Sequence, residues 1–160
     1  MQILVAFGSK RDGTAGLAAM IGDALRELGH DVTVAPAKEV RELDGVDAVI
    51  VAGALYANRW HRDARRFVKR NRDRLQRLPV WLVSSGPLDD SAEQHDIPPT
   101  PQVGKLAALV GARGHVTFGG RLAPDAKGFP ASAMAKTKAG DWRDAAHVQR
   151  WVKMVADELG

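Results

Sequence analysis

Short apolar segments alternate with amphipathic ones along most of the chain. The apolar segments are rich in β-branched residues, as strands are, and lie at residues 2–6, 30–35, 47–52, 79–84 and 114–118. Between them, apolar residues three or four positions apart predict helices after residue 15, over 59–78, around 103–110 and over 141–159. Because five strands alternate with helices, we expect a parallel sheet covered by helices on both faces.

The loops after the predicted strands are the expected ligand-binding segments. Sheets of this kind bind ligands outside the carboxyl ends of their strands. The loops there are residues 8–15, 53–58, 84–99 and 119–140, and the last two exceed the usual connection length. With 160 residues, the chain is expected to fold as one domain over residues 1–160.

The first of these loops has the chemistry of an anion site. The first N–H groups of a helix have no internal partner, and the helix dipole favours negative charge there. Ser9 and Thr14 add hydroxyl donors, and Gly13 allows close approach of the backbone. The alternative is an ordinary turn capped by Asp12. We interpret the loop as a site for one terminal phosphate, as in a mononucleotide.

Better-known glycine loops do not match this segment. A nucleotide P-loop requires Lys directly after its last Gly, but Thr14 follows Gly13. The dinucleotide fingerprint requires a second Gly at the position that Lys10 occupies. A phosphate-accepting receiver domain would have Asp at the ends of its first and third strands, and none is present there.

Composition excludes several other classes of function. There is no cysteine, so thiolate catalysis, disulfides and zinc–thiolate sites are excluded, and the five His residues show no metal-ligand spacing. No apolar run approaches the roughly 20 residues of a membrane-spanning helix. The N-terminus leads straight into a strand and does not resemble a signal peptide, so a cytoplasmic location is expected.

The predicted second helix is strongly basic. Residues 59–77 contain nine Lys or Arg and two Asp, within a chain whose net charge is +4. They form either a solvated helix face or a docking face for an acidic partner or the anionic inner surface of a membrane, with peripheral attachment. Nucleic acid is the least favoured ligand, since interleaved stacking aromatics are missing.

Several motifs resemble those of flavodoxins. Residues 9–14 resemble the S/T-x-x-G-x-T phosphate loop, with Asp12 where Gly is usual; a register over 10–15 restores the Gly but loses the final hydroxyl. Residues 53–61 resemble the second flavin loop of menaquinone-dependent protoporphyrinogen dehydrogenases and related flavodoxin domains, and residues 120–122 and 140–144 also resemble that branch. This resemblance implies non-covalently bound FMN and a flavodoxin-like three-layer α/β sandwich, with a five-stranded parallel sheet in the order 2-1-3-4-5.

The resemblance and the loop chemistry together assign the candidate site. Tyr56 is expected to stack on the isoalloxazine ring, and residues 84–86 to offer backbone hydrogen bonds to its pyrimidine edge. Trp60, Trp81 and Trp151 are assigned to the core, and no catalytic residue or metal ligand is assigned. The cofactor-binding assignments are Ser9, Lys10, Arg11, Asp12, Gly13, Thr14 and Ala15, then Ala54, Leu55, Tyr56, Ala57 and Asn58, then Ser84, Ser85 and Gly86.

Two redox functions follow from the resemblance. The first is an FMN-dependent oxidoreductase of the protoporphyrinogen dehydrogenase type that uses a quinone as acceptor. The alternative is an electron carrier between redox partner proteins without its own substrate; a third, non-redox option is a flavin-free interaction module. Residues 84–99 contain no Phe, Tyr or Trp, so one flavin face is expected to be open to a flat substrate, with 119–140 as a wall or lid unless His95 or Trp142 closes it.

Overall fold

The computed structural model describes residues 1–8, 12–86, 97–119, 121–122, 140–141 and 143–159. Its strands are β1 (Gln2–Gly8), β2 (Asp31–Pro36), β3 (Ala48–Tyr56), β4 (Arg59–Trp60), β5 (Val80–Ser85), β6 (Gly114–Phe118), β7 (Arg121–Leu122) and β8 (Gly140–Asp141). Its helices are α1 (Asp12–Glu27), α2 (Arg62–Arg70), α3 (Arg72–Leu75), α4 (Pro101–Val110) and α5 (Ala145–Leu159), with a 3₁₀ turn at Ala37–Glu39.

The main sheet confirms the predicted architecture. Its five parallel strands lie in the order β2-β1-β3-β5-β6. This is the predicted order 2-1-3-4-5, because β4 is a two-residue antiparallel ribbon on β3 and takes no place among the parallel strands. Strands β7 and β8 form a separate antiparallel pair, and β7 lies against α1.

Apolar side chains on both faces of the sheet hold the three layers together. Successive residues of a strand point to opposite faces, so Ile50 packs towards α1 and α5 while Val49 and Val51 pack towards α2 and α4. A central parallel strand is apolar throughout for this reason. The predicted core positions of Trp60, Trp81 and Trp151 are confirmed, since all three side chains are buried.

The first helix ends at Glu27, one residue before Leu28, the last apolar position in its spacing. Leu28 lies beyond α1, and its side chain is 48 % exposed. Gly29 follows with a φ of 92°, the left-handed conformation that favours glycine after a helix. The His30 N–H then donates to the Leu25 carbonyl and closes the helix end.

The predicted helix over 59–78 is two shorter helices, and both of its ends were placed wrongly. Helix α2 begins at Arg62, and Asn71 separates it from the single turn of α3. The Asn71 side-chain amide donates to the Phe67 carbonyl at 2.9 Å, so it caps the first helix at its end. Among the described residues, no helix is long and apolar enough to cross a bilayer.

Candidate functional site

Two glycines face each other at the carboxyl edge of the sheet. The chain leaves β1 towards β2 on one side, while β3 pairs with β1 on the other, so the strand order reverses between β1 and β3. Gly8 ends β1 and is in register with Gly53 of β3. A ligand on an open parallel sheet is expected in the crevice at such a reversal, which is where two of the predicted loops begin.

Both glycines are required by what packs on them. A Cβ on Gly8 would lie 2.7 Å from the Ala64 nitrogen and 3.1 Å from Nδ1 of His61. A Cβ on Gly53 would overlap the Trp60 indole ring. The absence of these side chains therefore lets Trp60 and the first turn of α2 close down on one face of the sheet edge.

The segment after Gly53 is a β-hairpin and not the predicted loop followed by a helix. Leu55 pairs with Trp60 and Tyr56 with Arg59. Ala57 and Asn58 form the connection with φ angles of 49° and 64°, the two positive values of a type I′ turn. The prediction failed because this turn lacks the glycine that usually marks it, and because Trp60 fits an apolar helix stripe equally well.

Four hydrogen bonds anchor the hairpin. The Trp60 backbone N–H donates to Gln102 Oε1 at 2.7 Å, and its indole N–H donates to the Val83 carbonyl at 3.3 Å. The His61 N–H donates to the Ala54 carbonyl at 2.8 Å, and Arg65 Nε donates to the Trp60 carbonyl at 3.1 Å. The tip of the hairpin, with the half-buried Tyr56, is therefore held in place by the protein itself.

The first turn of α1 is the predicted anion-binding part of the site. The helix begins at Asp12, so the N–H groups of its first turn have no partner inside the helix. Gly13 and Thr14 are buried, with Thr14 only 2 % exposed, and Ala15 is half-buried. Ser9, Lys10 and Arg11, together with the Asp12 side chain, lie outside the described residues.

Two residues that the sequence analysis did not assign lie close to this edge of the sheet, His61 beside Gly8 and Arg143 beside Gly16 of α1. His61, 8 % exposed, accepts the Asp63 N–H on Nδ1 at 3.1 Å and so caps α2. The Arg143 guanidinium packs directly on Gly16 and donates to the Gly13 carbonyl at 3.5 Å. No local sequence signal could have placed Arg143 here, since it is 130 residues from Gly13 in the chain.

The end of β5 is tied to β6. Ser84 Oγ hydrogen-bonds to His115 Nε2 at 2.9 Å, and the Gly86 N–H donates to the Phe118 carbonyl at 3.2 Å. Burial lowers the pKa of His115 from 6.5 to about 4, so this ring is neutral at physiological pH. The predicted backbone contacts of Ser84, Ser85 and Gly86 to a flavin stay predictions, with the Gly86 N–H already engaged inside the sheet.

Other predicted features fall outside the described residues. They are His95 and the rest of 87–96, residues 123–139 of the proposed lid, and Trp142. The pairing of β7 with β8 brings the two ends of the 123–139 segment together. Within the described part of the chain, no group of three or more His, Asp or Glu residues is placed to hold a metal ion.

The sequence matches a known family over most of its length. The flavodoxin domain family matches residues 4–129. The chain belongs to the flavodoxin family. Its cofactor is therefore FMN, and the family supports a redox or electron-transfer function. No curated protein sequence matches this flavodoxin significantly.

Solved flavodoxin structures share the fold at low sequence identity. A flavodoxin from Streptococcus pneumonia TIGR4 is 18 % identical, with a TM-score of 0.62 and 99 % of each chain covered. Flavodoxin 2 from Bacillus cereus is 16 % identical, with a TM-score of 0.62 and 99 % of each chain covered. A cysteine-to-serine mutant of a Pseudomonas aeruginosa flavodoxin is 15 % identical, with a TM-score of 0.62 and 98 % of this chain and 97 % of that chain covered.

The described residues fit a flavin mononucleotide. The first turn of α1 offers unpaired N–H groups to a phosphate, and its start lies next to the crevice between Gly8 and Gly53. The anchored hairpin carries Tyr56 at the end of β3, in register with Arg59, and this half-buried side chain is the aromatic group that the prediction assigns to the flavin ring. An anion site at one end and an aromatic surface at the other match the two chemically different halves of FMN.

Proposed function

We propose that this flavodoxin is an FMN-dependent oxidoreductase that passes electrons from a reduced, flat organic substrate of the protoporphyrinogen type to a quinone. The observation that carries the proposal is the anchored β3–β4 hairpin, built from the 53–61 segment that resembles the flavin loop of that enzyme branch. Bound FMN would supply the electron-transfer chemistry, and the protein orients the ring and controls access to it.

The residues have separate tasks in this proposal. The N–H groups at the start of α1 bind the phosphate, with Thr14 in that turn. Tyr56 supports one face of the ring from a hairpin whose position does not depend on the ligand. The absence of Phe, Tyr and Trp from 84–99 leaves the opposite face open to a planar substrate.

The placement of the phosphate is tested by comparing FMN with riboflavin, which lacks it. Charge-assisted hydrogen bonds to a phosphate are strong, so FMN should bind far more tightly. Thr14→Ala should weaken FMN binding by about 1–3 kcal/mol if the hydroxyl contacts the phosphate. Fluorescence titration of the flavin-free protein measures both, with Thr33→Ala on the exposed part of β2 as a matched control. Equal curves for the two flavins would contradict the placement.

Turnover separates the enzyme from the carrier. The FMN-loaded protein is mixed with protoporphyrinogen and a water-soluble menaquinone analogue, and porphyrin formation is followed by fluorescence. The proposal expects catalytic turnover that depends on both compounds. A protein that binds FMN and exchanges electrons with redox proteins, but oxidises no protoporphyrinogen, would instead be an electron carrier. This second candidate is supported by the nine Lys or Arg residues within 59–77, which suit an acidic partner protein.

A further inference from the structure

The positive charge of the protein is concentrated on one surface. The basic surface is defined here as the cationic side chains of residues 59–77, which number nine against two acids. The other 141 residues carry fourteen Lys or Arg and seventeen Asp or Glu. The net charge of +4 therefore arises entirely from this segment, and the rest of the molecule is weakly acidic.

The basic surface begins at the rim of the candidate FMN site. Arg59, which is exposed, pairs with Tyr56 across the hairpin. Helix α2 starts two residues after β4 ends and buries Ala64, Phe67 and Val68 against the sheet. This burial turns Arg62, Arg66 and the residues that follow them outwards, in a row that runs away from the hairpin.

Little inside the protein neutralises these cations. The two acids of the segment form the Arg62–Asp63 pair at 3.8 Å and the Arg72–Asp73 pair at 3.9 Å, and Asp63 also lies 3.8 Å from Nδ1 of His61. Arg62 and Arg72 are more than half exposed in these pairs, which are of the kind that contributes little. Arg70 donates to the Val40 carbonyl, a bond that fixes the side chain and leaves its charge in place.

The side chains of the basic surface favour carboxylates over nucleic acid or lipid. Trp60 and Phe67 are its aromatic residues and both are buried, so no ring is presented for stacking on nucleobases. None of the exposed large hydrophobic side chains of the described chain lies within 59–77, so α2 has no apolar face left to insert into lipid. Eight of the nine cations are Arg, whose planar guanidinium binds carboxylates through paired hydrogen bonds.

We propose that the basic surface docks a carboxylate-rich face of a redox partner protein, with Arg59, Arg62 and Arg66 next to the flavin. This inference rests on FMN binding and on the electron-carrier candidate above, in which the protein exchanges electrons with another protein, and it adds that partner's chemistry. Opposite charges steer the encounter and raise the association rate. The position of these three residues beside the hairpin brings the partner's redox centre to the Tyr56 end of the site.

The test uses a reduced, acidic plant-type ferredoxin as the probe and the FMN-loaded protein as acceptor. Stopped-flow absorbance gives the association rate of the wild type, of the double variant Arg62→Glu/Arg66→Glu and of the matched double variant Arg74→Glu/Arg77→Glu. We expect the first variant to slow association by about tenfold or more at low salt and the second by much less. Equal effects, or a wild-type rate that does not fall with ionic strength, would overturn the proposal.

Two controls separate this proposal from its alternatives. FMN titration of each variant comes first: a wild type that binds no FMN contradicts the proposed function, and ferredoxin binding by the flavin-free protein then tests docking alone. Co-sedimentation with phosphatidylserine vesicles and titration with single-stranded DNA are run at the same salt. Tighter binding to either of these than to ferredoxin would overturn an acidic protein as the partner.

Discussion

The β3–β4 hairpin and the first turn of α1 lie at the same edge of the sheet but differ in the contacts of their polar groups. The hairpin is fixed by contacts within the protein: Trp60 lies on Gly53, donates to the Val83 carbonyl and bonds to Gln102 of α4. The first turn of α1 instead has N–H groups without helical partners and a guanidinium supplied by Arg143, 130 residues away. One region is complete without a ligand, while the other presents polar groups suited to one.

Because of this difference, we expect substitutions in one region to change the stability of the protein and substitutions in the other to change its affinity for FMN. Where every polar group already has a partner, a substitution removes protein contacts and lowers the free energy of unfolding. Where the polar groups are arranged around an anion, a substitution changes the binding of that anion and leaves the fold nearly unchanged. The hairpin should therefore respond in unfolding experiments, and the start of α1 in FMN titrations.

The largest effect is expected for Gly53→Ala in the hairpin. The new Cβ would overlap the Trp60 indole ring, and that ring is buried and hydrogen-bonded to the Val83 carbonyl. Overpacking of this kind costs about 1–3 kcal/mol. Urea unfolding of the flavin-free protein measures the loss.

Gly104→Ala is the matched control for this substitution. Gly104 lies inside α4, where the nearest heavy atom to an added Cβ is Pro99 Cγ at 4.0 Å. Alanine stabilises helix interiors relative to glycine by roughly 0.5–1 kcal/mol, so this change should raise stability. A Gly53→Ala protein as stable as the wild type would show that Trp60 is not fixed and would remove the basis of the comparison.

The same contrast explains how far the sequence alone could predict the structure. The five parallel strands were predictable because each is a short apolar run set between amphipathic helices, and their order followed from the resemblance to flavodoxins. The hairpin was not, since Ala57 and Asn58 take positive φ angles without a glycine, and the buried positions Trp60, Ala64 and Phe67 keep a helical spacing across the boundary from β4 to α2.

The candidate site divides in a similar way. The edge of the sheet that carries it was predictable because parallel strands place their carboxyl ends at one edge, whatever the side chains are. His61 was missed because its role depends on where α2 begins, which was placed wrongly by three residues. Arg143 was missed because only the tertiary fold brings it to Gly16.

An intermediate effect is expected for Arg143→Gln at the start of α1. A cation beside a helix N-terminus is unfavourable unless an anion accompanies it. An incoming phosphate would supply such a charge. Removal of the guanidinium should weaken FMN binding by about 1.5 kcal/mol, roughly tenfold. Fluorescence titration of the flavin-free protein measures this.

Riboflavin and Arg150→Gln are the two controls. Riboflavin has no phosphate, so its affinity should be the same in Arg143→Gln as in the wild type. Arg150 is an exposed residue of α5, and its replacement should leave both affinities unchanged. If Arg143→Gln weakened the binding of FMN and of riboflavin equally, Arg143 would support the fold of α1 and not the binding of the phosphate. The start of α1 would then affect stability, as the hairpin does.

The smallest effect is expected at the end of β5. A substitution there should change stability and leave FMN binding unchanged, as we expect for the hairpin. Burial lowers the pKa of His115 from 6.5 to about 4, so between these values the unfolded chain binds a proton that the folded protein does not. The contribution of His115 to stability is therefore complete above about pH 6.5 and declines as the pH falls towards 4.

His115→Gln carries no titrating ring at this position, so its unfolding free energy should depend less steeply on pH across this window. Urea unfolding at several pH values measures the difference, with His30→Gln in the partly exposed connection between α1 and β2 as control. FMN affinity should follow the same pH curve in wild type and His115→Gln, because the ring is bonded to Ser84 inside the sheet. If His115→Gln instead changed the pH dependence of FMN affinity and left unfolding unaffected, the end of β5 would act in ligand binding, as we expect for the start of α1.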